Sequence, residues 1–129
     1  MIRELDETIP EIVGDPQQLQ QVFLNLLLNA ADAIPEGGTI TVRTVHYKQA
    51  KTVAVVLCDT GKGIPDELME KIFQPFFTTK GKGTGLGLAV SKRIVEEHGG
   101  SIAVSNNVSG GVTFAITLPV KAEDQRLTL

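Results

Sequence analysis

Gly81-Lys82-Gly83-Thr84-Gly85-Leu86-Gly87-Leu88 places glycine at every second position and runs straight into a helical pattern. Residues without a Cβ let the backbone turn sharply and come close to a ligand. The unpaired N–H groups that open the following helix then make a site for anions such as phosphate. The spacing is not the dinucleotide fingerprint, which needs two residues before its last glycine and a strand immediately upstream. The preceding Pro75-Phe76-Phe77-Thr78-Thr79-Lys80 does not read as a strand. A phosphorylated ligand is expected at this run, held in an unusual way.

Outward from the glycines, the helical pattern continues from about residue 86 to a stop at Gly99-Gly100. Strands follow near residues 101–106 and 112–118, joined by the turn Asn107-Val108-Ser109-Gly110-Gly111. Upstream, residues 74–85 read as loop and residues 66–73 as a short helix after Ile64-Pro65. Two strands rich in Val and Thr precede it, near 39–46 and 52–59. A long helix is predicted from Pro16 to Ile34, capped by Asp15 and stopped by Pro35 and Gly37-Gly38. Residues 2–13 hold two short strand-like pieces. The expected fold is α/β in the broad sense (α+β), with about five to seven strands and three helices. Residues 1–120 form the domain and 121–129 a polar, frayed tail.

Bulk composition narrows the function classes. A chain of 129 residues, 42% hydrophobic and 21% charged, suits one soluble domain with its own core. A net charge of −3 gives no support to nucleic-acid binding or to direct contact with a membrane through basic residues. The lone Cys58 excludes an internal disulfide, and no Cys/His cluster suggests zinc. With no Trp, one Tyr and five Phe, the core must be mostly aliphatic. No signal peptide is seen, and no apolar run approaches the roughly 20 residues that span a bilayer. The expectation is a cytoplasmic protein, whether complete or cut from a longer chain.

On the first helix, Leu19, Val22, Phe23, Leu26, Leu27, Ala30, Ala33 and Ile34 share a broad apolar face. Gln18, Gln21, Asn25, Asn29 and Asp32 fall within about 40° of one line, with Leu24, Leu28 and Ala31 beyond it. Asn is a poor helix-interior residue, so two at i and i+4 point either to a ligand or to a partly exposed polar edge. The apolar run Val53-Ala54-Val55-Val56-Leu57-Cys58 delivers Asp59 to Thr60-Gly61-Lys62-Gly63. A carboxylate beside glycine backbone can accept from an exocyclic amine; the alternative is an Asx-turn.

Four segments together resemble the catalytic and ATP-binding domain of sensor histidine kinases, in the wider ATPase/kinase superfamily that includes gyrase and MutL. Residues 21–30, Gln-Val-Phe-Leu-Asn-Leu-Leu-Leu-Asn-Ala, match the N box. Asp59-Thr60-Gly61-Lys62-Gly63-Ile64 matches the first glycine box, Ile72-Phe73-Gln74-Pro75-Phe76-Phe77 the F box, and residues 83–88 the second glycine box. Gly111-Val112-Thr113-Phe114 with Leu118-Pro119 looks like the closing strand. The match runs from about residue 11 to 119 in the family's order.

The resemblance implies a Bergerat ATP-binding fold, a two-layer sandwich of a mixed, mostly antiparallel sheet with three helices on one face. It implies that Asp59 binds the adenine amino group, with Gly61 and Gly63 giving the base room and Thr113 sharing a water with Asp59. Asn29 would coordinate Mg2+ bridging the phosphates of ATP, and Asn25 would assist around the metal and γ-phosphate; these two are the catalytic candidates. Gly83, Thr84, Gly85, Leu86, Gly87 and Leu88 would cover the phosphates and open the helix beneath them. Phe73, Phe76 and Phe77 would anchor that lid, with a plain core role open for Phe73.

Two departures from the family pattern stand out. Many relatives carry Lys or Arg three positions after the second Asn, where this chain has Asp32. The phosphate cation would then be Lys80 or Lys82, unless these are solvated loop lysines. The phosphoacceptor context is also missing from His46 and His98. His98 is read as capping carbonyls at a helix end, His46 as an ordinary strand residue, and Cys58 as a small core residue. The expected function is therefore the ATP-binding module of a two-component histidine kinase. It would transfer the γ-phosphoryl of ATP, leaving ADP, to a histidine on a separate dimerisation/phosphoacceptor domain, with a response regulator receiver domain downstream. Alone it should be a monomer that does not phosphorylate itself. An anti-sigma-type serine kinase and a non-enzymatic nucleotide sensor are the alternatives.

Overall fold

The computed structural model describes residues 2–4, 12, 14–34, 37–75 and 87–120. Within them, Asp15 is extended, and its carboxylate accepts the N–H groups of Gln17 (2.9 Å) and Gln18 (3.3 Å). With Pro16 in the first turn, those bonds satisfy donors that a helix start leaves orphaned. Helix α1 then runs Pro16–Ala33 and closes at Ile34. Its stripe of Leu19, Val22, Leu26 and Ala30 is buried, at the spacing one helix face requires.

Helix α2, Gly87–Glu97, ends in a Schellman motif. Gly99 takes φ +78, and the N–H groups of Gly99 and Gly100 donate to the carbonyls of Glu96 and Val95. The His98 ring locks this end in place. Nδ1 bonds the Ile94 carbonyl at 2.7 Å, and Nε2 accepts the Asp15 N–H at 3.0 Å, tying the end of α2 to the start of α1. The expected carbonyl cap is there, and the tie to α1 comes with it.

The strands are β1 (Ile2–Glu4), β2 (Ile40–Tyr47), β3 (Thr52–Asp59), β4 (Ser101–Asn106) and β5 (Val112–Pro119), in the sheet order β1-β2-β3-β5-β4. β1 pairs with β2 in parallel and every other pair is antiparallel. The second strand-like piece near the N-terminus is a single antiparallel bridge, Ile12 with Val120. Side chains alternate across a strand, and burial follows: Val112, Phe114, Ile116 and Leu118 of β5 are buried while the residues between them are not. The helices cover that face, where Leu19, Val22, Leu26, Leu57, Ile72, Ile94, Val95, Val112, Phe114, Ile116 and Leu118 form the core. Its one ring among the buried residues is Phe114, so the aliphatic core expected from composition is present.

Three expectations are corrected. The helix predicted over 66–73 is a 3-10 turn, Asp66–Leu68, followed by further turns. The N–H groups of Leu68, Met69, Lys71 and Gln74 all bond three residues back. An eight-residue stretch is too short to sustain an α-helix on its own hydrogen bonds, and Ile72 is its only buried side chain. The described residues therefore hold two α-helices rather than three. Cys58 is not a core residue: it points away from the helices, half-buried, with Sγ 3.2 Å from Thr113 Oγ1. The reason is parity, since Leu57 and Asp59 take the inner face. The chain tail 121–129, Pro35 and the residues around Ile12 lie outside the described residues.

Candidate functional site

Asp59 closes β3 and is 4% exposed, one of two buried polar residues among those described. Its Oδ1 accepts the N–H groups of Gly61 (2.9 Å) and Val112 (3.1 Å). Oδ2 has no partner among the described residues. That oxygen is not a buried orphan: it keeps contact with solvent while Oδ1 is held rigidly, so it stands open to an incoming donor. The Asx-turn reading is thus half right: Gly61 does bond back to Asp59, and an oxygen remains for a ligand.

The loop after β3 is held by two residues that the sequence did not flag. Asn106, at the end of β4, grips the backbone of Ile64 like a strand partner. Its Oδ1 accepts Ile64 N–H at 2.8 Å and its Nδ2 donates to Ile64 O at 2.6 Å. Gly63 has φ +79, and a Cβ there would meet Asn106 Oδ1 at 2.9 Å. Asn107 Nδ2 donates to the Asp59 carbonyl at 3.2 Å. Gly111, at φ +91, lies so close that a Cβ would overlap that same carbonyl. Thr60 and Thr39 bond each other twice, closing the adjacent end of β2 and β3. Asn106→Ala is expected to lower unfolding stability by about 1–2 kcal/mol through two lost bonds. Denaturant unfolding checks that, and calorimetry should show weaker ADP binding with or without metal.

Thr113 sits elsewhere. It is on the outer sheet face with Cys58, and its hydroxyl donates to Asn107 Oδ1. Its link to Asp59 runs through Asn107. The residue beside the carboxylate on the inner face is Val112, contributing its N–H.

The second cluster lies where α1 meets the start of α2. Asn25 and Asn29 are half-buried, whereas Gln18, Gln21 and Asp32 at the stripe's ends are exposed. Asn25 Nδ2 donates to Gly87 O and Ser91 Oγ, each at 3.3 Å. Gly87 and Leu88 open α2, with Leu88 half-buried against the core. Leu24 and Leu28, both 56% exposed, flank the asparagines on the solvent side. Phe73 packs edge-on against Phe114 (6.4 Å between centroids), with Lys92 Nζ 5.4 Å from its ring centre. Phe76, Phe77, Lys80, Lys82, Gly83, Thr84, Gly85 and Leu86 lie outside the described residues. Among those described, no group of His, Cys, Asp and Glu could hold a metal by itself, and no helix is long and apolar enough to cross a membrane.

The domain is of the α+β class, with a buried carboxylate walled by glycine at one sheet end and paired carboxamides on the covering helix. The chain belongs to the family of histidine kinase-, DNA gyrase B-, and HSP90-like ATPases, whose model matches residues 14–122. It is 49% identical over 122 residues to the sensor histidine kinase ZraS of Salmonella typhi, covering 93% of this chain and 26% of that protein. The catalytic domain of histidine kinase ThkA superposes with a TM-score of 0.81 at 39% identity, over 92% of this chain and 78% of that one. ThkA in complex with the response regulator protein TrrA matches with a TM-score of 0.78 at 36% identity, over 93% of this chain and 34% of that one. This chain is thus the ATP-binding catalytic domain of the sensor-kinase type and spans between 14% and 26% of the length of curated relatives it matches.

Proposed function

We propose that the chain binds Mg-ATP and presents the γ-phosphoryl to a neutral histidine on a separate dimerisation/phosphoacceptor domain, from which a response regulator receiver domain would be served. The observation that carries this reading is Asp59, held through Oδ1 with Oδ2 open to a donor beside a wall that needs glycine at 63 and 111. An adenine amino group supplies the missing donor. The N–H of Val112 and the Asn106 and Asn107 clamps hold the acceptor still before the base arrives.

At the other end, Asn25 and Asn29 would hold a magnesium ion. The donor set fits: magnesium takes hard oxygens, keeps several waters, and needs only one or two protein ligands beside the phosphates. When bound, magnesium would neutralise charge on the triphosphate, and phosphoryl transfer asks chiefly for that and for alignment. Asn25 also limits side reactions, because a carboxamide cannot serve as the base that activates water. The start of α2 adds N–H groups directed at anionic oxygen.

Asn29→Ala should leave metal-free ADP binding intact and remove most of the gain that magnesium brings, about tenfold, as calorimetric titration with and without magnesium would show. The function itself is tested by incubating the chain and labelled ATP with a histidine-bearing helical domain of a related kinase. Acid-labile label on that domain and none on His46 or His98 is the expected result. Acid-stable label, the mark of phosphoserine, would overturn it.

A further inference from the structure

We propose that Ser91 is a positioning residue that sets the amide of Asn25 so that its oxygen faces the metal and phosphate; this rests on the role given to Asn25 above. Ser91 is fully buried, 0% exposed, on the inward stripe of α2 with Ile94 and Val95. An apolar side chain would suit that stripe better, since burying a hydroxyl costs free energy unless it is fully bonded. Here it is. The Ser91 hydroxyl donates to Gly87 O at 2.8 Å and accepts from Asn25 Nδ2 at 3.3 Å.

The same Asn25 nitrogen donates to Gly87 O at 3.3 Å. A carbonyl can only accept, so the two ends of the carboxamide are distinguished by chemistry. Both N–H bonds of Asn25 are directed into α2, one to each acceptor, and Oδ1 is turned away from Gly87 and Ser91. Asn25, Ser91 and Gly87 form a closed triangle in which each member fixes the other two. Without the hydroxyl, one N–H of Asn25 loses its acceptor and the amide is held at a single point. Ser91 would thus act on the metal-dependent part of nucleotide binding and leave the adenine end at Asp59 untouched.

The test compares Ser91→Ala with the unchanged chain by calorimetry, using ADP without metal and then ATP with magnesium. Metal-free ADP affinity should stay within about twofold, while the gain from magnesium falls on the order of tenfold, the usual scale for losing a residue that orients a metal ligand. In the ligand-free protein, the side-chain amide protons of Asn25 should also exchange faster by NMR. Equal loss at both ends would show a merely structural role and overturn the proposal, as would an unchanged magnesium effect. If the alanine variant does not fold, Ser91→Cys, of similar size but a poor acceptor, must give the same split for the proposal to stand. An unchanged chain that binds ADP but gains nothing from magnesium would instead remove the role of Asn25 itself.

Discussion

Asp59→Asn is expected to abolish binding of ADP and ATP alike while the domain stays folded. The amide keeps one oxygen, and the N–H groups of Gly61 and Val112, which now bond Oδ1, will claim it. Its nitrogen must then take the position of Oδ2, where it opposes an adenine amino group donor to donor. One hydrogen bond to a charged acceptor is lost and a buried mismatch replaces it. Together these are worth about 3 kcal/mol or more, a loss of at least about 100-fold. Asp59→Ala should also lose both nucleotides, with an added stability cost of roughly 1–3 kcal/mol for each orphaned backbone donor. Calorimetry up to millimolar nucleotide, alongside thermal unfolding, separates the two effects. Affinity within about threefold of the unchanged chain for the Asn variant would sink the assignment of Asp59.

Gly111→Ala should be the most destabilising single methyl in the described fold around this pocket. A side chain at φ +91 is strained by about 1–2 kcal/mol. Here the added carbon also overlaps the Asp59 carbonyl, a backbone atom that cannot rotate aside. Forcing β3 and the 110–112 turn apart adds about 1–3 kcal/mol. The melting temperature should fall on the order of 10 °C, and nucleotide binding should weaken because Asp59 is displaced. A calorimetric melt checks the first point. Gly110→Ala, where a new Cβ would meet Gly61 O at 3.9 Å, an ordinary contact, should cost less.

Much of this could be read from the chain before its fold was known. The spans of β3 and β4 agree with the expected 52–59 and 101–106, where apolar runs are set off by Gly61, Gly63 and the Gly99-Gly100 stop. Asp15-Pro16 and Gly99-Gly100 announced a helix start and a helix stop because capping is local chemistry. Asp59 was legible because a buried strand has to deliver its last polar residue somewhere. Asn106 and Asn107 were not, since their partners lie 42 and 48 residues away and a side-chain clamp leaves no periodic trace. A faint signal did exist for Ser91: it interrupts an otherwise apolar stripe with Leu88, Ile94 and Val95. Thr113 was placed by resemblance, and strand parity puts its side chain on the face away from Asp59. The 66–73 segment has the composition of a helix, yet it is too short to satisfy itself.

The two ties between α1 and α2 have a mechanical consequence. His98 and Asp15 rivet one end of the pair, and Asn25 with Gly87 and Ser91 rivets the other. A rod pinned at two separated points can neither slip along its neighbour nor swivel about it. Force applied to either helix therefore travels through both as one plate, so that in the transfer proposed above the domain would be swung bodily toward its acceptor rather than sheared into place.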